Sequence, residues 1–158
     1  MIRHLQFALA FIFALFAGGI AHAQSGPFTG LEGQWSGNGN ITLDDGSNER
    51  IRCRATYAVN APGTGMNLNL VCASASYKFD LRADVAARGN SLSGRWSETS
   101  RGITGDLEGR AASGRFNVLV SAPIFNANLS LTTTGNKQSI SISSQSQFRN
   151  VAIALSRA

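Results

Sequence analysis

The sequence predicts an all-β protein, folded as an antiparallel up-and-down β-barrel of about eight to ten strands. Apolar and polar residues alternate with a period of two along most of the chain, most clearly from Tyr77 to Val85. Turn-forming residues recur every 8–12 residues or so, and no helical period longer than one turn follows residue 23. Closing such strands into a barrel removes the exposed sheet edges that promote aggregation.

The first residues predict a signal peptide over residues 1–23, and therefore a periplasmic or secreted protein. Arg3 precedes an apolar run over residues 5–20, and Ala21-His22-Ala23 has the small-residue pattern of a cleavage site. A retained membrane anchor is the alternative. No later run approaches the roughly 20 apolar residues of a membrane span. Residues 24–30 predict a flexible N-terminal segment, and residues 31–158 predict a single barrel domain.

Two alternating runs on either side of Pro62-Gly63 predict a β-hairpin. One register brings their apolar faces together, and the same register sets Cys53 opposite Cys72. Two cysteines in an exported chain predict one disulfide bond, with two buried free thiols as the alternative. The register pairs Val59 with Met66, Tyr57 with Leu68, Ala55 with Leu70 and Cys53 with Cys72.

An internal repeat favours two duplicated halves, residues 31–91 and 92–152. The pattern Leu31-x-Gly33-x-Trp35-Ser36 recurs 61 positions later, from Leu92 to Ser97, with no gap. Neither half could cover its own apolar face, so we expect the halves to close on each other and the two tryptophans to occupy equivalent sites. Chance similarity between glycine- and serine-rich strands is the alternative.

The opening LEGQWSG resembles the first strand of lipocalins and avidins, the calycin-like families whose mark is a G-x-W there; Gly33 and Trp35 match it. This resemblance implies an up-and-down barrel in which the Trp plugs one end under an Arg of the last strand, here Arg149 or Arg157. The chain also resembles small periplasmic inhibitors of bacterial metalloproteases, which share a signal peptide, a G-x-W strand and a short-range disulfide. The stretches CASASYKFDL and GRWSETSRGITG are similar to small secreted bacterial β-barrel proteins of unassigned function.

The residue inventory predicts that the protein is not an enzyme and holds no metal or cofactor. The only histidines, His4 and His22, lie within the predicted signal peptide, and the disulfide uses both cysteines. Ser-His, Cys-His and ordinary zinc sites are thereby excluded from the mature chain. The formal net charge of +5 is too small for a nucleic-acid-binding arm. An anionic envelope polymer, a small ligand or a protease is a more plausible partner.

Two groups of residues are candidate sites. Three exposed arginines on one strand face, Arg50, Arg52 and Arg54, are either a solubilising face or an anion-binding stripe. The second group consists of residues on predicted inward faces, which either contact a ligand inside the barrel or simply fill the core. Its members are Trp35, Tyr57, Phe79, Trp96 and Glu98.

These observations favour an exported, non-enzymatic barrel that binds an envelope-associated or small ligand. The alternative is a protein-binding inhibitor of a secreted or periplasmic protease, whose flexible residues 24–30 enter the protease cleft.

Overall fold

A computed structural model describes residues 25–146 and 148–158 and confirms the predicted all-β barrel. Ten antiparallel strands follow one another with only a short 3-10 helix, Thr29–Leu31, before the first. The strands are β1 Gly33–Leu43, β2 Asn48–Val59, β3 Gly65–Ala73, β4 Lys78–Arg88, β5 Ser91–Glu98, β6 Ile103–Ala112, β7 Arg115–Ala122, β8 Phe125–Thr134, β9 Lys137–Ser144 and β10 Phe148–Arg157. The predicted signal peptide lies outside the described residues.

Each strand pairs with its neighbours in sequence, and β1 pairs with β10 to close the barrel. Odd-numbered strands therefore all start at the same end. We call this the closed end, because the N-terminal segment covers it, and the opposite end the open end. The open end carries the hairpin turns that follow each odd-numbered strand.

The β2–β3 hairpin has the predicted register. Val59 pairs with Met66, Tyr57 with Leu68 and Cys53 with Cys72. Both cysteines are buried inside the barrel and form the predicted disulfide. A disulfide of this kind fits an oxidising extracellular or periplasmic environment.

Inward glycines let neighbouring strands approach closely. A methyl group at Gly37 would lie 1.9 Å from the carbonyl oxygen of Ala154, on the paired strand β10. A methyl group at Gly94 would lie 2.0 Å from the carbonyl oxygen of Asp84. Only glycine fits at these positions, which permit the strong local bending that barrel closure requires.

Residues 26–31 of the N-terminal segment seal the closed end. The amide of Gly26 donates to the carbonyl of Pro62, and the amide of Phe28 donates to the carbonyl of Gly63. Phe28 is buried and stacks on Phe116, with 6.1 Å between ring centroids. The described part of this segment therefore makes specific contacts. They bury Phe28 in an apolar environment, which the composition of the segment does not predict.

Trp35 and Arg157 complete this seal as the calycin resemblance implies. The indole N–H of Trp35 donates to the carbonyl of Leu31 at 2.9 Å. The guanidinium of Arg157, on the last strand, lies 4.3 Å from the Trp35 ring centroid. It also donates to the carbonyls of Gly30 and Glu32, so it ties the N-terminal segment to the barrel wall.

The strand boundaries do not follow the 61-residue repeat. Residues 31–91 contain β1 to β4 and the first residue of β5, whereas residues 92–152 contain the rest of β5, then β6 to β9 and the first half of β10. The offset places the middle of β2 on the β6–β7 turn, where Gly114 has a positive φ of 77°. Trp35 and Trp96 are both buried, but they lie near opposite ends of the barrel and not at equivalent sites.

Among the described residues, no helix has both the length and the apolar character needed to cross a membrane.

Candidate functional site

The open end of the barrel contains an apolar cavity of about 140 Å³. Aromatic and aliphatic side chains from β4 to β10 form its wall, and residues of the hairpin turns form its mouth. Its lining residues are Tyr77, Phe79, Leu81, Trp96, Glu98, Arg101, Ile103, Val120, Ile124, Phe125, Ala127, Leu129, Ile142, Ser146, Phe148 and Val151.

Three aromatic rings fix the shape of one side of this cavity. Trp96 meets Phe125 edge-on with 5.8 Å between centroids, and Phe125 lies 6.1 Å from Phe148. The indole N–H of Trp96 donates to the carbonyl of Asp106 at 3.1 Å. Since this bond satisfies its polar atom, the Trp96 side chain can present an apolar surface to the cavity.

The mouth carries a cation that is held in place by three neighbours. The guanidinium of Arg101 lies 4.5 Å from the Tyr77 ring centroid and donates to the carbonyl of Lys78 at 3.2 Å. It also forms an ion pair with Glu98 at 3.4 Å. Burial raises the pKa of Tyr77, and the nearby charge of Arg101 opposes that rise. Tyr77 therefore stays a neutral phenol at ordinary pH.

Glu98 is a buried carboxylate whose oxygens accept hydrogen bonds from β4 and from the β5–β6 turn. One oxygen accepts from the amide of Asp80 at 2.9 Å and from the amide and hydroxyl of Ser100. The other accepts from the amide of Arg101 at 2.8 Å. Burial raises the pKa of Glu98, but these hydrogen bonds outweigh it and hold the pKa below its usual value. Glu98 is thus ionised, and it positions the turn that carries Arg101.

The structure brings together three of the five predicted interior contacts. Phe79, Trp96 and Glu98 all line the open-end cavity. Trp35 and Tyr57 do not line it. Both lie in the closed half, where Trp35 is sealed under Arg157 and Tyr57 is packed inside the barrel with 2% of its surface exposed. Period-two alternation identifies inward faces but does not indicate which end of a strand borders a cavity.

Tyr57 has a structural partner across the barrel. Its hydroxyl donates to the side-chain oxygen of Gln138 at 3.1 Å, and both residues are buried. Burial raises the pKa of Tyr57 well above its usual value, although the bond to Gln138 opposes the rise. This pair therefore fixes the packed half of the interior.

Sequence reasoning missed the mouth of the cavity. Tyr77, Arg101 and Ile124 lie in turns, and Ile124 is 85% exposed at the rim. The sequence does contain a pattern that indicates this mouth. Apolar or aromatic residues lie next to each of the turns β3–β4, β5–β6, β7–β8 and β9–β10. In an up-and-down barrel these turns share one end, so their side chains converge there.

The predicted arginine stripe lies elsewhere, on the outer wall of β2. Arg50, Arg52 and Arg54 are exposed, whereas the residues between them are buried. In the described part of the chain, no group of three or more His, Cys, Asp or Glu residues is arranged to hold a metal ion.

Comparison with solved structures finds the same fold. The chain is similar to Rv2717c from M. tuberculosis, with a TM-score of 0.65 and 14% identity, over 82% of this chain and 94% of that one. It is also similar to the S-type phycobiliprotein lyase CPES from Guillardia theta, with a TM-score of 0.56 and 10% identity, over 83% and 90% of the two chains. At these identities the two comparisons show a shared small β-barrel fold. No protein-family model matches the chain, and no curated protein does.

Proposed function

We propose that the protein is an exported, non-enzymatic barrel that binds a small uncharged molecule, or the apolar end of a larger one, at its open end. The observation that carries this proposal is the cavity of about 140 Å³ with its aromatic wall. Cavities of roughly this volume bind a single aromatic ring, whereas drug-sized ligands need about 300 Å³ or more. The ligand group that enters is therefore the size of one ring or a short alkyl chain.

The charges at the mouth favour an uncharged ligand group. The positive charge of Arg101 is matched by Glu98, and the oxygens of Glu98 already accept several hydrogen bonds. Burying an unpaired charge against this wall would cost far more free energy than the apolar contacts return. A polar group of the ligand can still remain at the mouth, near Ser146 and Arg101.

The fold comparison supports a binding role only at the level of architecture. One similar barrel is named a phycobiliprotein lyase, so the fold is compatible with enzymes as well as with carriers. Our prediction that this chain is not an enzyme rests on its residues: its histidines precede residue 24, and its cysteines form the disulfide. Export rests on residues 1–23 and is supported by that disulfide.

The protease-inhibitor alternative has less support. It needs residues 24–30 to be free to enter a cleft. Phe28 is buried at the closed end, and withdrawing it would expose the apolar surface it shares with Phe116. A protease assay with the chain shortened to residue 31 would test this alternative, since inhibition that depends on residues 24–30 would favour it.

Toluene binding tests the cavity directly. We expect toluene to raise the melting temperature and to change the fluorescence of Trp96, and 1-hexanol to bind better than hexanoate. Ala127→Leu places a larger side chain in the cavity and should weaken toluene binding about tenfold or more. Ala154→Leu makes the same change on the exposed wall of β10 and should leave binding unchanged. Equal toluene affinity in the two variants would refute the site.

A further inference from the structure

The outer wall of the barrel carries an arginine stripe, Arg50, Arg52 and Arg54, that is independent of the cavity. The three side chains alternate with the buried residues Ile51 and Cys53, so they project from one face of β2. Alternate residues on a strand stand about 6–7 Å apart. The stripe therefore presents three cations in a row along the surface.

The positive charge of the stripe is not neutralised by its neighbours. On β1 the arginines face Asn40, Asn38 and Ser36, and on β3 Arg54 faces Val71. Among the residues that the structure describes, no carboxylate lies within ion-pairing distance of the three guanidinium groups. Charges elsewhere on the wall are arranged differently: Arg95 on β5 faces Asp84 on one side and Asp106 on the other.

The wall next to the stripe is polar but uncharged. The outward residues of β1, the strand paired with β2, are Ser36, Asn38 and Asn40. Beyond β1, the wall continues with Ala152 and Ala154 of β10, and then with Ser139, Ser141 and Ser143 of β9. The six Ser and Asn side chains are exposed. Their hydroxyl and amide groups both donate and accept hydrogen bonds, as the hydroxyl groups of sugars require.

We propose that this face binds an acidic polysaccharide, with carboxylate groups on the arginine stripe and sugar hydroxyl groups on the neighbouring Ser and Asn side chains. Arginine binds carboxylates through paired hydrogen bonds, so a row of arginines suits a regularly charged polymer. Single-stranded nucleic acid would require aromatic stacking platforms, and a membrane surface would require projecting apolar anchors. The cross-strand neighbours of the stripe include neither an aromatic residue nor a large projecting apolar one.

Two charge-matched variants of the chain test this proposal. The first changes Arg50, Arg52 and Arg54 to Ser. The control changes Arg82, Arg95 and Arg110 to Ser, which removes the same charge from exposed positions on β4, β5 and β6. Binding to polygalacturonate is measured by calorimetry at about 50 and 200 mM salt, a range over which exposed charges become strongly screened. Dextran, phosphatidylglycerol vesicles and polyphosphate serve as comparison probes.

We expect polygalacturonate binding to weaken about tenfold as salt rises, and about tenfold again in the stripe variant. The control variant should change affinity less than about twofold, and both variants should melt within a few degrees of the native chain. Equal losses in the two variants would mean that only net charge matters and would overturn the proposal. Tighter binding of vesicles or polyphosphate would overturn the polysaccharide assignment, and equal binding of dextran would overturn the role of the arginines.

Discussion

At the scale of single residues, Glu98 shows how a buried charge can be structural inside a candidate binding site. The sequence singles it out because it lies two residues after Trp96 and so shares its face. Its oxygens, however, accept from the backbone of Asp80 and Arg101, which the sequence does not indicate. Removing the carboxylate would leave several of these hydrogen-bond donors without an acceptor.

Glu98→Gln should therefore lower the free energy of unfolding by about 1–3 kcal/mol near neutral pH. The folded-state pKa of Glu98 is lowered from 4.5, so its stabilising contribution is present above pH 4.5 and is lost as the pH falls through the folded-state value. The difference between native and variant in urea denaturation should accordingly shrink in acid. Glu108→Gln, at an exposed position on β6, is the matched control and should change stability by less than about 0.5 kcal/mol. A difference that grows in acid would contradict this account.

At the scale of elements, the β2–β3 hairpin is the best-predicted part of the molecule. Its register follows from two constraints that agree, the matching of apolar faces and the pairing of Cys53 with Cys72. The 61-residue repeat is a weaker guide, because the boundaries of the described strands do not follow its offset. The repeat rests on one sequence pattern, whereas the hairpin register rests on two constraints that agree.

Replacing Cys53 and Cys72 together with Ala should lower the free energy of unfolding by about 2–4 kcal/mol, because the bond closes a loop across a sequence separation of 19 residues. The hairpin should still form, since its other pairs remain, so the far-ultraviolet circular dichroism of the folded variant should match that of the native chain. Urea denaturation measures the loss, and reduction of the native chain provides the same comparison without mutation. A variant as stable as the native chain would show that the bond does not constrain the unfolded state.

At the scale of the whole molecule, the two barrel ends differ, and this asymmetry positions the candidate site. Alternation along each strand predicts which residues face the inside of the barrel wall. The structure of the two ends depends instead on contacts between residues far apart in the sequence, such as Phe28 with Phe116 and Arg157 with Trp35. No local pattern encodes those contacts. The calycin resemblance supplied the Trp–Arg seal, whereas the cavity at the opposite end emerged only from the folded chain.

The separation of the two ends leads to a test of the whole architecture. Phe28→Ala removes a buried ring from the closed end and should lower the free energy of unfolding by about 3–5 kcal/mol. Because effects at distant sites without shared partners add independently, toluene affinity at the open end should change less than about twofold in the folded variant. Phe125→Ala, in the cavity wall, should instead weaken toluene binding. Calorimetry and urea denaturation on both variants measure the two quantities separately. Loss of toluene binding in Phe28→Ala under conditions where the variant is fully folded would mean that closure of one end shapes the cavity at the other.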